Sequence, residues 1–299
     1  MTVDVEDYFH VAAFSKVIDT ENWSEYPSRV ERNTDILLEL FKRKHIHATF
    51  FVLGWVAERY PHIVKRIVEQ GHEIASHGYS HQLIYNQSPE IFKEETHKSK
   101  VILEDLAQIS VDGYRAASYS ITAKSLWALD ILAELGFTWD SSIFPIRHDN
   151  YGMPNSPQQP YQIETQSGAC LTEYPLTTAK VAGLSIPAAG GGYFRQYPYF
   201  VSKYLFNRAS LNQTRPQIFY LHPWEIDGAQ NDDAKQWLIG SMLVERSYLT
   251  PDQREEIIAE LHIRQDMGGD AALTCFGDLA VELKYLTKEQ LQECFALQN

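Results

Sequence analysis

Apolar positions along the first three quarters of the chain follow two alternating periods. Short apolar or alternating runs predict strands over residues 2–6, 47–54, 74–76, 113–117, 136–142 and 217–222. Helical periodicity predicts helices over residues 29–44, 55–70, 89–106 and 123–135. Strands and helices that alternate in this way predict βα units and a parallel sheet or barrel.

One long stretch interrupts this alternation. Residues 145–192 are rich in Pro, Gly, Ser and Gln and are predicted to be mostly loop, with one strand near residues 171–175. Beyond residue 230 the pattern changes to helical periodicity only, which predicts a small all-α appendage over residues 231–299 after a first domain over residues 1–230.

Polar side chains stand at or just past the ends of the predicted strands. They are Asp4, His77, Arg115, Asp140 and His222. The carboxyl ends of parallel strands meet at one face of a barrel, where such folds carry their chemistry. The pattern therefore predicts a functional site made of these residues.

His77 and His81 are spaced for a shared ligand. Residues four apart project from one face of a helical turn or of a comparably compact loop. Two neutral imidazoles so placed can each give a nitrogen to a Zn²⁺-like cation at about 2.0–2.1 Å. A pair of hydrogen-bonding surface histidines is the alternative, and the strand-end carboxylates favour the metal site.

The composition limits the class of protein and the kinds of partner that the chain can have. The 299 residues, 44% of them hydrophobic, suffice for one large α/β domain with an appendage. A formal charge of -13 argues against a nucleic-acid backbone or an anionic membrane surface as the main partner, although a local basic patch stays possible. Three widely separated cysteines exclude a disulfide scaffold and fit a reducing compartment.

Targeting signals are not evident in the sequence. No apolar run approaches the roughly 18 residues of a membrane span, and residues 1–7 are too charged for a signal peptide. The expected location is cytoplasmic, unless the natural start lies upstream of the strand that begins at Thr2.

Four motifs in order resemble those of the polysaccharide deacetylases that share the NodB homology domain. They are TVDVED (residues 2–7), SHGYSH (76–81), GYR (113–115) and YLHP (220–223). Longer runs are similar to the branch found with exopolysaccharide and exosortase loci: DVEDYFH (4–10), DSSIFPIRHD (140–149), GGGYFR (190–195) and HPWEID (222–227). The resemblance covers about residues 1–227. It implies a distorted (β/α)7 barrel that removes N-acetyl groups from an amino sugar with a divalent metal, of which Zn²⁺ is the first choice.

The resemblance also implies a role for each strand-end residue. His77 and His81 would bind the metal together with one carboxylate, and Asp4 would be the general base. His222 would be the general acid, and Arg115 would pair with Asp4. Asp140 would orient an imidazole, a role for which Asp149 competes.

The chain departs from the family pattern at two positions. Where two adjacent aspartates are usual, Asp4 is followed by Val5, so the third ligand is Glu6 or Asp7. Pleat geometry favours Glu6, which shares a strand face with Asp4, whereas Asp7 would need a bulge. Ala117 stands where proline is usual, which removes a fixed φ close to Arg115.

Four residues are candidates for substrate binding. Tyr119 and Trp224 are expected to stack on sugar rings, with core packing as the alternative. Gly191 and Tyr193 are expected to line the cleft, although a glycine run is also typical of a simple turn.

The appendage contains an internal repeat. Residues 239–253 align with residues 276–290 at an offset of 37, and each copy predicts a helix, a Tyr-Leu-Thr turn with Thr as N-cap, and a second helix. The pattern resembles the helical repeats at the N-terminus of type II secretion and type IV pilus assembly ATPases. With 13 Asp/Glu against 6 Lys/Arg in residues 231–299, a protein partner is expected there rather than a polyanion.

Three functions fit these observations. The first is a metal-dependent N-deacetylase that acts on an N-acetylated saccharide of an exopolysaccharide or its precursor. The second is a hydrolase of the same fold that cleaves another non-peptide C–N bond. The third is a carbohydrate-binding pseudoenzyme, favoured by Ala117 and the altered carboxylate motif.

Overall fold

The structure is a computed structural model. It describes residues 1–11, 18–148, 151–210, 216–227, 248–250, 252–254, 256–257, 260, 276–288 and 290. The chain divides into two compact units, one formed by Met1–Ala12 and Ser24–Ile226 and the other by Ala13–Trp23 and Asp227–Asn299. The predicted boundary between residues 230 and 231 lies outside the described residues.

The described residues of the first unit form ten strands. They are β1 (Thr2–Val5), β2 (Thr49–Val52), β3 (Glu73–Ser76), β4 (Gly113–Tyr114), β5 (Trp139–Asp140), β6 (Tyr161–Glu164), β7 (Cys170–Glu173), β8 (Thr178–Val181), β9 (Leu184–Pro187) and β10 (Tyr220–Leu221). The described helices of this unit are α1 (Val30–Lys44), α2 (Gly54–Arg59), α3 (Pro61–Glu69), α4 (Pro89–Ala107), α5 (Trp127–Glu134), α6 (Gly191–Gln196) and α7 (Tyr199–Ser210).

Eight strands form one sheet in the order β10-β1-β2-β3-β4-β5-β7-β6. All neighbouring pairs are parallel except β6 and β7. Strands β1 and β2 are covered on both faces, as parallel strands flanked by helices require, and Val3, Val5, Phe50 and Val52 are fully buried. The predicted distorted (β/α)7 barrel is confirmed, with seven parallel strands that curl around a common interior.

Several elements differ from the prediction for local reasons. The helix predicted over residues 55–70 is broken into α2 and α3, because Pro61 has no N–H to continue the hydrogen-bond ladder. Residues 145–192 hold two antiparallel hairpins, β6–β7 and β8–β9, in place of a long loop with one strand. Helices α6 and α7 were not predicted. α6 begins with Gly191 and Gly192, and glycines are more typical of a turn than of a helix.

The described part of the second unit contains helix α8 (Phe276–Glu282) and a small apolar core. Its buried residues are Leu249, Ile257, Leu279, Ala280 and Leu286. In both predicted turns Thr and Gln exchange hydrogen bonds: Thr250 N donates to Gln253 Oε1 at 2.8 Å, and Gln253 N donates to Thr250 Oγ1 at 3.2 Å. Thr287 and Gln290 repeat both bonds at the same distances. These are reciprocal capping boxes, which begin helices.

None of the described helices is both long and apolar enough to cross a bilayer.

Two carboxyl groups lie side by side inside the barrel. Asp140 and Glu173 are register partners at the ends of β5 and β7, and both are fully buried. Ser142 Oγ donates to Asp140 at 2.6 Å, and Ile143 N donates to Glu173 at 3.0 Å. Burial and the Asp140 charge raise the pKa of Glu173 well above its usual value, which favours a proton held between the two carboxyl groups.

We expect Glu173→Gln to flatten the pH dependence of stability. The native state keeps this proton to a higher pH than the unfolded chain does, so the stability of the wild type falls as pH rises above about 4.3. The glutamine can still accept from Ile143 N and can donate to Asp140. Urea unfolding at about pH 5 and pH 8 measures the difference.

The matched control for this prediction is Glu164→Gln, at the exposed end of β6. The control should keep the wild-type pH dependence. Equal pH dependence in Glu173→Gln and the wild type would contradict a shared buried proton.

Candidate active site

The two histidines lie in a compact loop directly after β3. Gly78 between them has φ +76°, a conformation that favours glycine. Its carbonyl accepts from Gly54 N at 2.8 Å and from Ser99 Oγ at 2.9 Å. The loop is therefore tied to α2 and α4, and it brings the His77 and His81 rings to 5.2 Å between centroids.

Glu6, His77 and His81 form a cluster in which each offers one ligand atom, all within 4.8 Å of one another. Glu6 Oε2 lies 2.7 Å from His81 Nε2. His77 Nδ1 lies 2.8 Å from the carbonyl oxygen of Arg115. A proton on Nδ1 satisfies that carbonyl and leaves the Nε2 lone pair for a ligand, an arrangement common among metal-binding histidines.

These residues fit a divalent cation. His81 Nδ1 is buried and has no hydrogen-bond partner among the described residues. Glu6 Oε2 is likewise buried, and its neighbour at 2.7 Å is His81 Nε2. Burial lowers the pKa of His77 to about 4, so its ring is neutral at neutral pH. Burial alone would raise the pKa of Glu6, but His81 and His222 outweigh it and hold that pKa below its usual range. Two imidazole nitrogens and one carboxylate form a donor set typical of catalytic zinc, with a position left open.

Asp7 lies in a different environment from Glu6. Its Oδ2 accepts from Ser28 Oγ at 2.8 Å, from Arg29 N at 2.7 Å and from Val30 N at 3.0 Å, and its Oδ1 accepts from Tyr8 N at 3.0 Å. These donors include the first backbone N–H groups of α1, where a negative charge stabilises the helix end. Asp7 anchors α1, and Glu6 is the carboxylate that faces the histidines.

Arg115 and Asp4 form a buried ion pair at the bottom of the site. The Arg115 side chain is fully buried, and one Nη lies 2.6 Å from Asp4 Oδ1. The guanidinium also donates to Thr2 Oγ1 at 2.9 Å and to Ser141 Oγ at 2.9 Å. These bonds fix Arg115 firmly even with Ala117 at the position where proline was expected.

Tyr119 is part of this group rather than of an open cleft. Its hydroxyl donates to Asp4 Oδ2 at 3.3 Å, and its ring is buried against Phe144 and Tyr220. Ser118 and Tyr119 both have positive φ, 50° and 54°. This turn directs the tyrosine toward Asp4, so no exposed face remains for a sugar ring.

His222 follows β10 and faces both acidic residues. Its Nε2 lies 3.4 Å from Glu6 Oε1 and 3.9 Å from Asp4 Oδ2. Its Nδ1 lies 3.5 Å from Glu225 Oε2, which also accepts from the His222 backbone N at 2.9 Å. Burial lowers the pKa of His222, but Glu6, Glu225 and Asp4 together raise it to about 9.

Glu225 is a site residue that the sequence analysis did not single out. Arg195 holds its other oxygen at 3.0 Å. A side chain at Gly191 would overlap the Glu225 carboxylate, so this glycine makes room for Glu225 rather than lining a cleft. The signal was present in the spacing, since a residue three places after His222 returns to it within one turn of the 3-10 helix at Pro223–Ile226.

The remaining predicted residues lie at varied distances from the reacting groups. Trp224 is half-buried, stacks on the His222 ring at 5.0 Å and donates from Nε1 to Glu6 Oε1 at 3.4 Å. The Tyr193 hydroxyl lies 2.9 Å from that of Tyr151. Asp140 contacts Ser142 and Glu173, whereas the carboxylate that lies beside Nδ1 of His222 is that of Glu225. Asp149 lies outside the described residues.

Comparison with known proteins identifies the segment that carries the histidines. Residues 23–139 match the polysaccharide deacetylase family. This segment, which is somewhat more than a third of the chain, is similar to polysaccharide deacetylases. Residues 141–260 match a second family, described as a domain of unknown function (DUF3473), so His222 and Glu225 lie outside the matched deacetylase segment.

Curated relatives of the deacetylase domain match short segments. A peptidoglycan-N-acetylglucosamine deacetylase of Bacillus cereus is 39% identical over 74 residues, 25% of this chain and 27% of that protein. A peptidoglycan deacetylase of Helicobacter pylori is 33% identical over 107 residues, 36% of each. The matches thus span about a third or less of these relatives.

A solved structure supports the fold across most of the chain. The putative polysaccharide deacetylase from Mycobacterium smegmatis aligns with a TM-score of 0.55 at 20% identity and covers 77% of this chain and 79% of that one. At this identity the likeness shows the fold alone.

We expect Glu6→Gln to weaken metal binding and Asp7→Asn to lower thermal stability. Loss of the Glu6 charge should weaken Zn²⁺ or Co²⁺ binding at least tenfold, because an anionic ligand is lost. Asp7→Asn should leave the affinity within about threefold but lower the melting temperature by a few degrees, since it weakens the anchor of α1. Calorimetric titration of the metal-stripped variants and thermal unfolding measure both quantities. Weaker metal binding in Asp7→Asn than in Glu6→Gln would reverse the assignment.

Proposed function

We propose that the chain is a metal-dependent hydrolase that removes N-acetyl groups from amino sugars of a polysaccharide. The observation that supports this most is the clustering of Glu6, His77 and His81 next to two further groups with complementary roles. Asp4 and His222 lie on the same side of the barrel as this cluster, within 3.9 Å of each other.

The metal, when bound to Glu6, His77 and His81, would polarise the acetamide carbonyl and lower the pKa of water. Asp4 then acts as the general base that accepts a proton from the attacking water. Arg115 binds Oδ1 and Tyr119 donates to Oδ2, so the carboxylate is held in one orientation. Fixed geometry of this kind lowers the entropic cost of the reaction.

His222 acts as the general acid in the same reaction. With its pKa raised to about 9, the imidazolium is present at neutral pH and can donate a proton from Nε2 to the departing amine nitrogen. Glu225 accepts from the His222 backbone and lies beside Nδ1, which fixes the ring orientation.

We propose an exopolysaccharide, or its precursor, as the natural substrate. The motifs GGGYFR and HPWEID, on which the resemblance to the exopolysaccharide branch depends, supply Gly191, Arg195, His222 and Glu225. These residues contact one another around the proposed acid, so the sequence runs that carry the resemblance also form this part of the site.

A carbohydrate-binding pseudoenzyme is the second candidate, because Ala117 and the Asp4-Val5 pair depart from the family pattern. The fixed Arg115–Asp4 pair favours the active enzyme. A hydrolase of another C–N bond would need the same groups, and only the product that it forms distinguishes it from a deacetylase.

We also propose that residues 231–299 bind a protein partner. Two copies of the Thr–Gln capping box and a shared apolar core support a paired helical module of the kind expected from the sequence repeat.

The first test is acetate release from chitooligosaccharides by the metal-stripped protein with Zn²⁺ or Co²⁺ added back. We expect metal-dependent release that His77→Ala lowers at least 100-fold, because it removes a ligand. His97→Ala, which changes an exposed histidine of α4, should keep the wild-type rate. Bound metal with sugar binding and no acetate from any N-acetylated oligosaccharide would favour the pseudoenzyme.

A matched pair of glycine variants tests the position of Glu225. Gly191→Ala should lower kcat at least tenfold with little change in KM, because the new methyl group displaces the carboxylate that orients His222. Gly192→Ala should behave as the wild type, since a Cβ there meets no atom within 4 Å. Equal kcat in both variants would show that Glu225 does not position the acid.

A further inference from the structure

The charges of the chain are distributed very unevenly. Residues 174–224 contain no Asp or Glu but five Lys or Arg, whereas the whole chain carries a formal charge of -13. One of these cations, Arg195, is paired with Glu225 in the site. Lys180, Lys203 and Arg208 lie outside the catalytic groups, so the mechanism does not account for them.

Helix α7 concentrates aromatic side chains in this basic segment. Its inward face buries Ser202, Leu205 and Ala209. Its outward face exposes Tyr199, Phe200 and Tyr204, with 69%, 72% and 55% of their surface open to solvent. Large aromatic residues are rarely left this open next to one another, and such patches mark interaction sites.

Cations border the aromatic residues. Lys203 lies between them on the exposed face of α7, and Arg208 lies one turn further on. Arg208 Nε donates to the carbonyl of the exposed Lys180 on β8, which brings a third cation beside the helix. None of the three makes an ion pair with a described residue.

The exposed face of α7 is continuous with an apolar groove. Tyr199 and Lys203 lie on one wall, and Phe194, Phe206 and Phe219 provide much of the apolar lining, around a volume of about 310 Å³. The aromatic surface therefore includes a groove beside the exposed face of α7.

We propose that this basic aromatic face, formed by α7 with Phe194 and Lys180, docks on the surface of a lipid bilayer with anionic headgroups. Aromatic side chains insert at the boundary between headgroups and acyl chains, and nearby Lys and Arg bind the anionic surface. The absence of acidic residues over 51 positions matches that partner. This segment lacks the negative charges by which the chain as a whole would repel an anionic surface. A neutral glycan would use the aromatic residues but would not require the depletion of acids.

Vesicle flotation with the full chain tests the proposal. The probes are vesicles of phosphatidylcholine alone and of phosphatidylcholine with about 30% phosphatidylglycerol. We expect binding to the anionic vesicles, little to the neutral ones, and a loss of binding at about 0.5 M salt, where charges are screened within a few ångströms.

Two variants with matched controls locate the docking face. Lys203→Glu should weaken partition at least fivefold, and Tyr199→Ser with Phe200→Ser and Tyr204→Ser at least tenfold. Lys65→Glu on α3 changes an exposed charge elsewhere, and Ile91→Ser with Val101→Ser removes two side chains of α4 that are each 49% exposed. Both controls should float as the wild type does.

Three results would overturn the proposal. They are an absence of flotation with the anionic vesicles, equal losses in the test and control variants, and a dimer in solution that Lys203→Glu or the triple variant dissociates. Acetate release does not depend on any of these residues, so failure of docking would leave the proposed activity untouched. Lys203→Glu alone keeps the test valid if the triple variant does not fold.

Discussion

The buried guanidinium of Arg115 determines the rest of the site. A fully buried charge is costly unless it is paired and its donors are satisfied. Here one Nη binds both Asp4 and Thr2 from β1, while Nε and the second Nη bind Ser141 after β5. β1 and β5 are thereby tied to the side chain that follows β4 in the interior of the barrel. Removal of the arginine would leave Asp4 buried without its partner.

The same residue also orients His77 through its backbone. The Arg115 carbonyl faces His77 Nδ1, and the Arg115 N–H donates to Ser76 O at the end of β3. A shift of β4 would therefore move Asp4 and His77 together. Because both contacts come from one residue, their relative geometry is set by covalent structure, which is more rigid than packing between separate side chains.

The fold and the main site residues could be predicted from sequence because each left a periodic or spaced signal. Parallel strands appear as apolar runs, and polar groups at their ends coincide in space. Pleat geometry placed Glu6 on the Asp4 face, and the structure brings it to the histidines. The roles of Glu225, Gly191 and Tyr119 were harder to predict. They depend on contacts between segments far apart in the sequence or on positive φ angles in a turn. The hairpins within residues 145–192 were missed because short strands separated by glycine and proline leave too few residues for a period of two.

The alternation that builds the sheet also builds the site. In β1, Thr2 and Asp4 contact Arg115 in the barrel interior, so Val3 and Val5 between them point to the opposite face. Glu6 continues the inward series two positions further on, beyond the last residue of the strand, where it reaches His81 and His222. A one-residue shift of β1 against β2 would place both valines inside and both acids against the helices. The register of β1, fixed by four residue pairs with β2, is therefore required for the core and for the chemistry at once.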